Sequence, residues 1–190
     1  MKYDIVLAGV GGQGVLSLSA IIAWSAMRED LHVKQSEVHG MAQRGGTVVA
    51  NLRLADAEVY SDLIPQGSAR LLLSLEPLES LRYLRLLSPA GTVITSTNPV
   101  RNIEDYPDVD ELVGHLRRLP SVITLDTDRL ARQAGSARSS NMVIAGAASR
   151  FLPLNVATME ELIASRFASK GENVVRRNLD AFHAGREAAA

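Results

Sequence analysis

Tyr3-Asp4-Ile5-Val6-Leu7-Ala8-Gly9-Val10-Gly11-Gly12-Gln13-Gly14-Val15-Leu16 is the stretch on which the fold turns. Its first six residues read as a buried strand, apolar from Ile5 to Ala8, and the pattern from Gln13 to about Glu29 is helical. Between them lies G-x-G-x-x-G (Gly9, Gly11, Gly14), with Gly12 as an extra glycine. Residues without a side chain let a backbone approach a phosphate, and the helix behind supplies unpaired N–H donors and the positive end of its dipole. The strand–loop–helix context therefore makes Gly9, Gly11, Gly12, Gln13 and Gly14 a candidate phosphate cradle. The same glycines also suit a tight turn with close packing of helix on strand.

Two departures separate this loop from its better-known relatives. A dinucleotide fold places an acid at the end of its second strand, about twenty residues past the glycines, to hold the ribose hydroxyls. Here Lys34 and Gln35 stand there, and Glu37 comes late. The residues after Gly14 are Val15 and Leu16, where an ATPase loop carries Lys and then Ser or Thr, so ATP hydrolysis is not expected.

Outward from this unit, Leu31–Gln35 reads as a second strand and Ser36–Gly46 as a loop, before the alternating, β-branched run Thr47–Leu54. Arg70–Leu75 predicts a strand and Pro77 to about Leu87 a helix, after which Ser88-Pro89-Ala90-Gly91 turns into the strand Thr92–Ser96. A polar loop from Thr97 leads to a helix over about Pro107–Arg118, then a strand over Ser121–Leu125. Helical patterns follow at Thr127–Gln133, Asn141–Phe151, Met159–Ala168 and Glu172–His183. Thr158 with Glu161 has capping-box spacing, Ser139-Ser140-Asn141 reads as a helix cap, and Ala188-Ala189-Ala190 as a frayed tail. The fold expected is α/β: three layers, a largely parallel sheet with helices on both faces, and a helical C-terminal part, all one domain over residues 1–190. The first helix is apolar nearly all round (Val15, Leu16, Leu18, Ile22, Trp24, Met27), which requires cover on more than one side, from the C-terminal helices or from another subunit.

A net charge of -1 gives no electrostatic reason for a nucleic-acid or membrane partner, and the run Val15–Met27 is too short to span a bilayer. Met1-Lys2-Tyr3 enters a strand without a basic leader or cleavage site, so a cytoplasmic protein is expected. With zero cysteines, the chain cannot give thiolates to an iron–sulfur cluster; any such cluster belongs to a partner.

The second concentration of functional side chains is Ser36-Glu37-Val38-His39-Gly40-Met41-Ala42-Gln43-Arg44-Gly45-Gly46. Arg44 offers a two-pronged donor for a carboxylate or phosphate, and Glu37 and His39, two apart, point the same way if the segment is extended. By composition alone this could equally be a loop of solvated charges. His32, His115 and His183 stand alone and read as packing or surface residues, and Glu76 and Glu79 as acids answering a helix dipole.

Together, the glycine loop and this eleven-residue motif resemble the gamma subunit or domain of the 2-oxoacid:ferredoxin oxidoreductases, and among them the beta subunit of the indolepyruvate enzymes. The resemblance continues through Leu75-Glu76-Pro77-Leu78-Glu79-Ser80-Leu81-Arg82 and Asn141-Met142-Val143-Ile144-Ala145-Gly146-Ala147. It implies a subunit that is inactive alone and works with a catalytic alpha-type partner. Thiamine diphosphate, magnesium and iron–sulfur clusters reside in that partner, which decarboxylates the 2-oxoacid and passes electrons to ferredoxin. Gly9, Gly11, Gly12, Gln13 and Gly14 then become a candidate coenzyme A site, and Ser36, Glu37, His39, Gln43, Arg44, Gly45 and Gly46 a segment facing the partner's active site. The rival readings are a self-sufficient nucleotide-binding reductase and a scaffold that binds no ligand.

Overall fold

The computed structural model describes residues 1–40 and 45–190. Its centre is a six-stranded sheet in the order β2-β3-β1-β4-β5-β6: β1 Lys2–Val10, β2 His32–His39, β3 Thr47–Ala55, β4 Ala69–Ser74, β5 Leu87–Ser96 and β6 Val122–Leu125. The strands β1, β4, β5 and β6 pair in parallel, while β3 runs antiparallel to both β1 and β2. The helices are α1 Val15–Arg28, α2 Pro77–Arg82, α3 Val109–Leu116, α4 Thr127–Gln133, α5 Ser140–Ala148, α6 Val156–Phe167 and α7 Glu172–Ala188.

Strand alternation divides the core in two. Ile5 and Leu7 of β1, with Leu52, Leu71, Leu73 and Ile94, join α1, α5, α6 and α7 in the larger core. Val6 and Ala8, with Leu72 and Val93, face Ile64 and the segment after α2 on the other side. Side chains two apart share a face, so a fully buried strand must be apolar on both, and Ile5–Ala8 is. The expected three-layer α/β architecture is the one observed.

Several local expectations are corrected. Ser36–His39 continue β2 instead of opening a loop, because this half of the strand pairs with Val48–Asn51 in unbroken register. The helix begun by Pro77 ends at Arg82, a 3-10 turn covers Leu84–Leu86, and Ser88–Gly91 lie inside β5 as a register irregularity opposite Ala69 and Leu71. Helix α6 starts earlier than its pattern indicated: the cap is Asn155, whose side chain accepts from the Ala157 N–H, so Thr158 lies within the helix. Ser139 does sit at the N-cap of α5 but makes no capping hydrogen bond.

The apolar surface of α1 is covered mainly within the chain, by β2, β3, α5 and α6. Trp24 and Met27 stay exposed at its far end, with the Arg166 guanidinium 5.3 Å above the Trp24 ring.

Candidate functional site

The glycine loop sits where β1 and β4, adjacent parallel strands, send their chains to opposite faces: β1 into α1 and β4 into α2. Open α/β sheets bind ligands at such a divergence. Local geometry explains the residue choices. A Cβ on Gly9 would lie 2.8 Å from Val15 Cγ2 and 3.0 Å from Gln13 Oε1, so only glycine permits this approach of helix to strand. Gly12 and Gly14 have φ of 101° and 89°, a left-handed conformation strained for other residues. Gln13 closes the turn: its Oε1 accepts from Val10 N–H at 2.8 Å and its Nε2 donates to the Leu75 carbonyl at 2.8 Å, tying β1 to the end of β4. Both ends of the Gln13 amide are thereby engaged, and this side chain shapes the cradle.

The N–H groups of Gly12, Gly14, Val15, Leu16 and Ser17 find no acceptor among the described residues. Beside them lies a cavity of about 240 Å³ lined by the loop, Ser17, His39 and Val48. Orphan N–H groups at a helix start favour an anion. Arg166 donates to Ser17 Oγ at 3.1 Å, bringing a cation to the first turn of α1.

The second motif folds against the same loop. Gly11 N–H donates to the Gly46 carbonyl at 2.8 Å, and Asn102 Nδ2 donates to the Gly45 carbonyl at 2.7 Å. Glu37 and His39 share the α1 side of the exposed edge strand β2, with Oε2 3.4 Å from Nε2, and Gln35 also donates to Glu37. Ser36 faces the opposite side, where its hydroxyl donates to the Asp62 carbonyl at 3.3 Å. The structure thus brings His39, Gly45 and Gly46 to the glycine loop and points Ser36 away; Gln43 and Arg44 lie outside the described residues.

Beneath this layer are two buried acids, Glu76 and Glu79. The helix-start reading holds, since the Glu76 side chain caps α2 by accepting the Glu79 N–H at 2.9 Å. The sequence did not disclose that Glu76 also accepts from Tyr106 O–H and the Val100 N–H, anchoring the loop after β5. Glu79 accepts from Thr47 Oγ1 at 3.3 Å and pairs with Arg82 at 3.2 Å. Asn141, read in the sequence as part of a helix cap, instead reaches with its amide across 127 positions to the Gly14 carbonyl. Contacts so distant in sequence carry no local signal.

Burial pushes the Glu79 carboxyl above its ordinary value, with Arg82 opposing and the Glu76 charge reinforcing the rise. A carboxyl whose pKa is raised by folding favours the folded state while protonated, and that contribution disappears as pH rises through the raised value. Glu79→Gln is therefore expected to gain stability relative to the wild type as pH rises above the ordinary glutamate pKa of about 4.3, the two converging near that value. Urea midpoints across pH read this directly; a gap independent of pH would exclude the charge as its cause.

Among the described residues no cluster of three His, Asp or Glu could hold a metal ion, and no helix is long and apolar enough to cross a membrane. A mixed sheet with a glycine loop at its divergence point, against which Gly46 packs, is an open α/β architecture. The chain belongs to the pyruvate ferredoxin/flavodoxin oxidoreductase family, which it matches over residues 4–188. It is 39% identical to the indolepyruvate oxidoreductase subunit IorB of Archaeoglobus fulgidus, over 97% of this chain and 94% of that one. Solved structures that share the fold include the following two. The 2-oxoglutarate:ferredoxin oxidoreductase of Magnetococcus marinus, solved with 2-oxoglutarate, coenzyme A and succinyl-CoA, superposes with a TM-score of 0.78 at 23% identity, covering 99% of this chain and 31% of that one. The keto/oxoacid ferredoxin oxidoreductase gamma subunit of Geobacter sulfurreducens gives 0.73 at 23% identity, with 98% of each chain covered.

Proposed function

We propose that this chain is the gamma-type, non-cofactor subunit of a cytoplasmic oxidoreductase acting on indolepyruvate or another aryl pyruvate, and that residues 1–190 form one domain holding coenzyme A phosphates at the glycine loop. The catalytic alpha-type partner supplies thiamine diphosphate, magnesium and iron–sulfur clusters and delivers electrons to ferredoxin; this chain, lacking cysteine, cannot ligate a cluster through thiolates. The segment Ser36, Glu37, His39, Gln43, Arg44, Gly45 and Gly46 faces the partner's active site.

The observation that carries this reading is the convergence of both motifs on one cavity beside five open N–H groups. Backbone donors at a helix start, with Arg166 bonded to Ser17 in the first turn, fit a pyrophosphate. The stand-alone dinucleotide reductase is disfavoured by topology. The neighbour of β1 on the β2 side is the antiparallel β3, which begins at the loop instead of ending there, so no acid occupies the ribose position.

Ser17→Asp tests the site. An acid in the first turn suits the helix dipole and can still pair with Arg166, so folding is preserved, while its charge repels phosphate. Calorimetric titration of the chain with coenzyme A should show saturable binding that Ser17→Asp weakens at least tenfold. Reconstitution with the alpha-type subunit should give indolepyruvate-dependent ferredoxin reduction requiring both chains. Unchanged heats in the variant would remove the coenzyme A assignment, and full activity of the partner alone would remove the subunit role.

A further inference from the structure

A second cavity, of about 510 Å³, lies between the 3-10 turn Ala137–Ser139, the end of α6 and the start of α7. Arg138, Lys170 and Arg177 line it, and no acid does. None of the three cations has an ion-pair partner among the described residues. Like charges converging without a counter-charge repel one another, and an anion between them relieves that repulsion.

The floor of the cavity is polar and buried. Ser139 is only 2% exposed, lines the cavity and occupies the N-cap of α5 without a capping hydrogen bond. Beside it Asn178, 5% exposed, is pinned by its Nδ2 donating to the Val174 carbonyl at 2.8 Å. One wall is apolar, where the half-buried Phe167 ring carries the Lys170 ammonium 5.5 Å from its centroid.

We propose that this cavity binds the phosphomonoester group of a nucleotide-type ligand, with Arg138, Lys170 and Arg177 neutralising the dianion and the Ser139 hydroxyl donating to it. Three cations and a hydroxyl suit a dianionic group with several acceptor oxygens better than a single carboxylate. The Phe167 wall favours an organic ester over the free ion. This inference does not rest on the glycine-loop assignment.

The test is calorimetric titration of the full chain at low salt with adenosine 3′,5′-bisphosphate and, separately, with inorganic phosphate. The bisphosphate should bind saturably and at least tenfold more tightly than phosphate. The double variant Arg138→Gln/Arg177→Gln, which changes exposed side chains and should keep the wild-type melting temperature, should weaken it at least tenfold and flatten its salt dependence. The titrations are run in the Ser17→Asp background, which silences the glycine loop, and bisphosphate binding should persist there. No saturable heat, equal affinity for inorganic phosphate, or unchanged binding in the double variant would each overturn the proposal. So would loss of binding in Ser17→Asp alone, which would put the ligand at the glycine loop. Loss of assembly with the alpha-type subunit in the double variant, with bisphosphate binding intact, would overturn it in favour of protein docking.

Discussion

Gly185→Ala is expected to destabilise the protein by about 3 kcal/mol or more, because the added methyl meets backbone and not a side chain that could move aside. A Cβ at Gly185 would lie 1.9 Å from the Val143 carbonyl oxygen, and one at Gly146 would lie 1.8 Å from that of Phe182. These reciprocal contacts let α5 and α7 touch backbone to backbone. All of α5 from Asn141 to Ala148 is buried, so parting the helices would open the larger core at Met142, Val143 and Phe182. For a chain of this size the loss corresponds to a fall in melting temperature of roughly 10 °C. Gly146→Ala should behave alike. Gly114→Ala is the control: a Cβ there meets nothing within 4 Å, and helix propensity should give a gain of about 0.5–1 kcal/mol. Thermal melts of the three variants decide the matter. Equal melting temperatures would mean that α7 can shift outward at little cost.

Arg53→Met should cost about 3–5 kcal/mol, the loss expected when one partner of a buried ion pair is removed and the other keeps only the exposed Lys2 ammonium at 3.7 Å. Arg53 Nε lies 2.9 Å from Asp4 Oδ1, and both side chains are nearly inaccessible, at 6% and 4%. The same guanidinium donates to the Ser61 and Leu63 carbonyls, each at 2.9 Å, and so holds the segment that inserts Ile64 into the smaller core. Amide exchange should therefore accelerate at residues 61–64 before the sheet itself loosens. Replacing both partners, as Asp4→Leu with Arg53→Met, removes the stranded charge and should recover much of the loss. A double variant no more stable than Arg53→Met would show that the carbonyl contacts, and not the ion pair, carry the energy.

The first strand, its glycine loop, the helix behind it, β6 and α4 were legible because their signals are local. An apolar run of strand length, glycine punctuation and a 3.6-residue period depend on neighbours within one or two turns. α4 begins and ends where its pattern says, Thr127 to Gln133, helped by Asp126, whose side chain accepts the Arg129 N–H. Ser36–His39 is a strand for a reason that is not local. Nothing polar and exposed in this segment announces a strand; pairing with β3 makes it one, since Val48–Asn51 offer a row of backbone partners. The early start of α6 and the extension of β5 through Pro89 likewise follow from contacts outside each segment.

The candidate site divides in the same way. Sequence alone determined that a glycine-rich turn would join the first strand to a helix start and that no thiolate would be available to a cluster, and it marked Ser36–Gly46 as a candidate segment. Only the tertiary structure decided that the two segments meet, through Gly11 and Gly46, and that Gln13 braces the turn. Topology also set β3 beside β1, leaving no acid at the ribose position. The physical reason is sequence distance. Asn141 reaches Gly14, Tyr106 reaches Glu76, and Arg138 joins Lys170 and Arg177 because packed layers bring remote residues together, and no periodicity within a segment encodes which partner it will face.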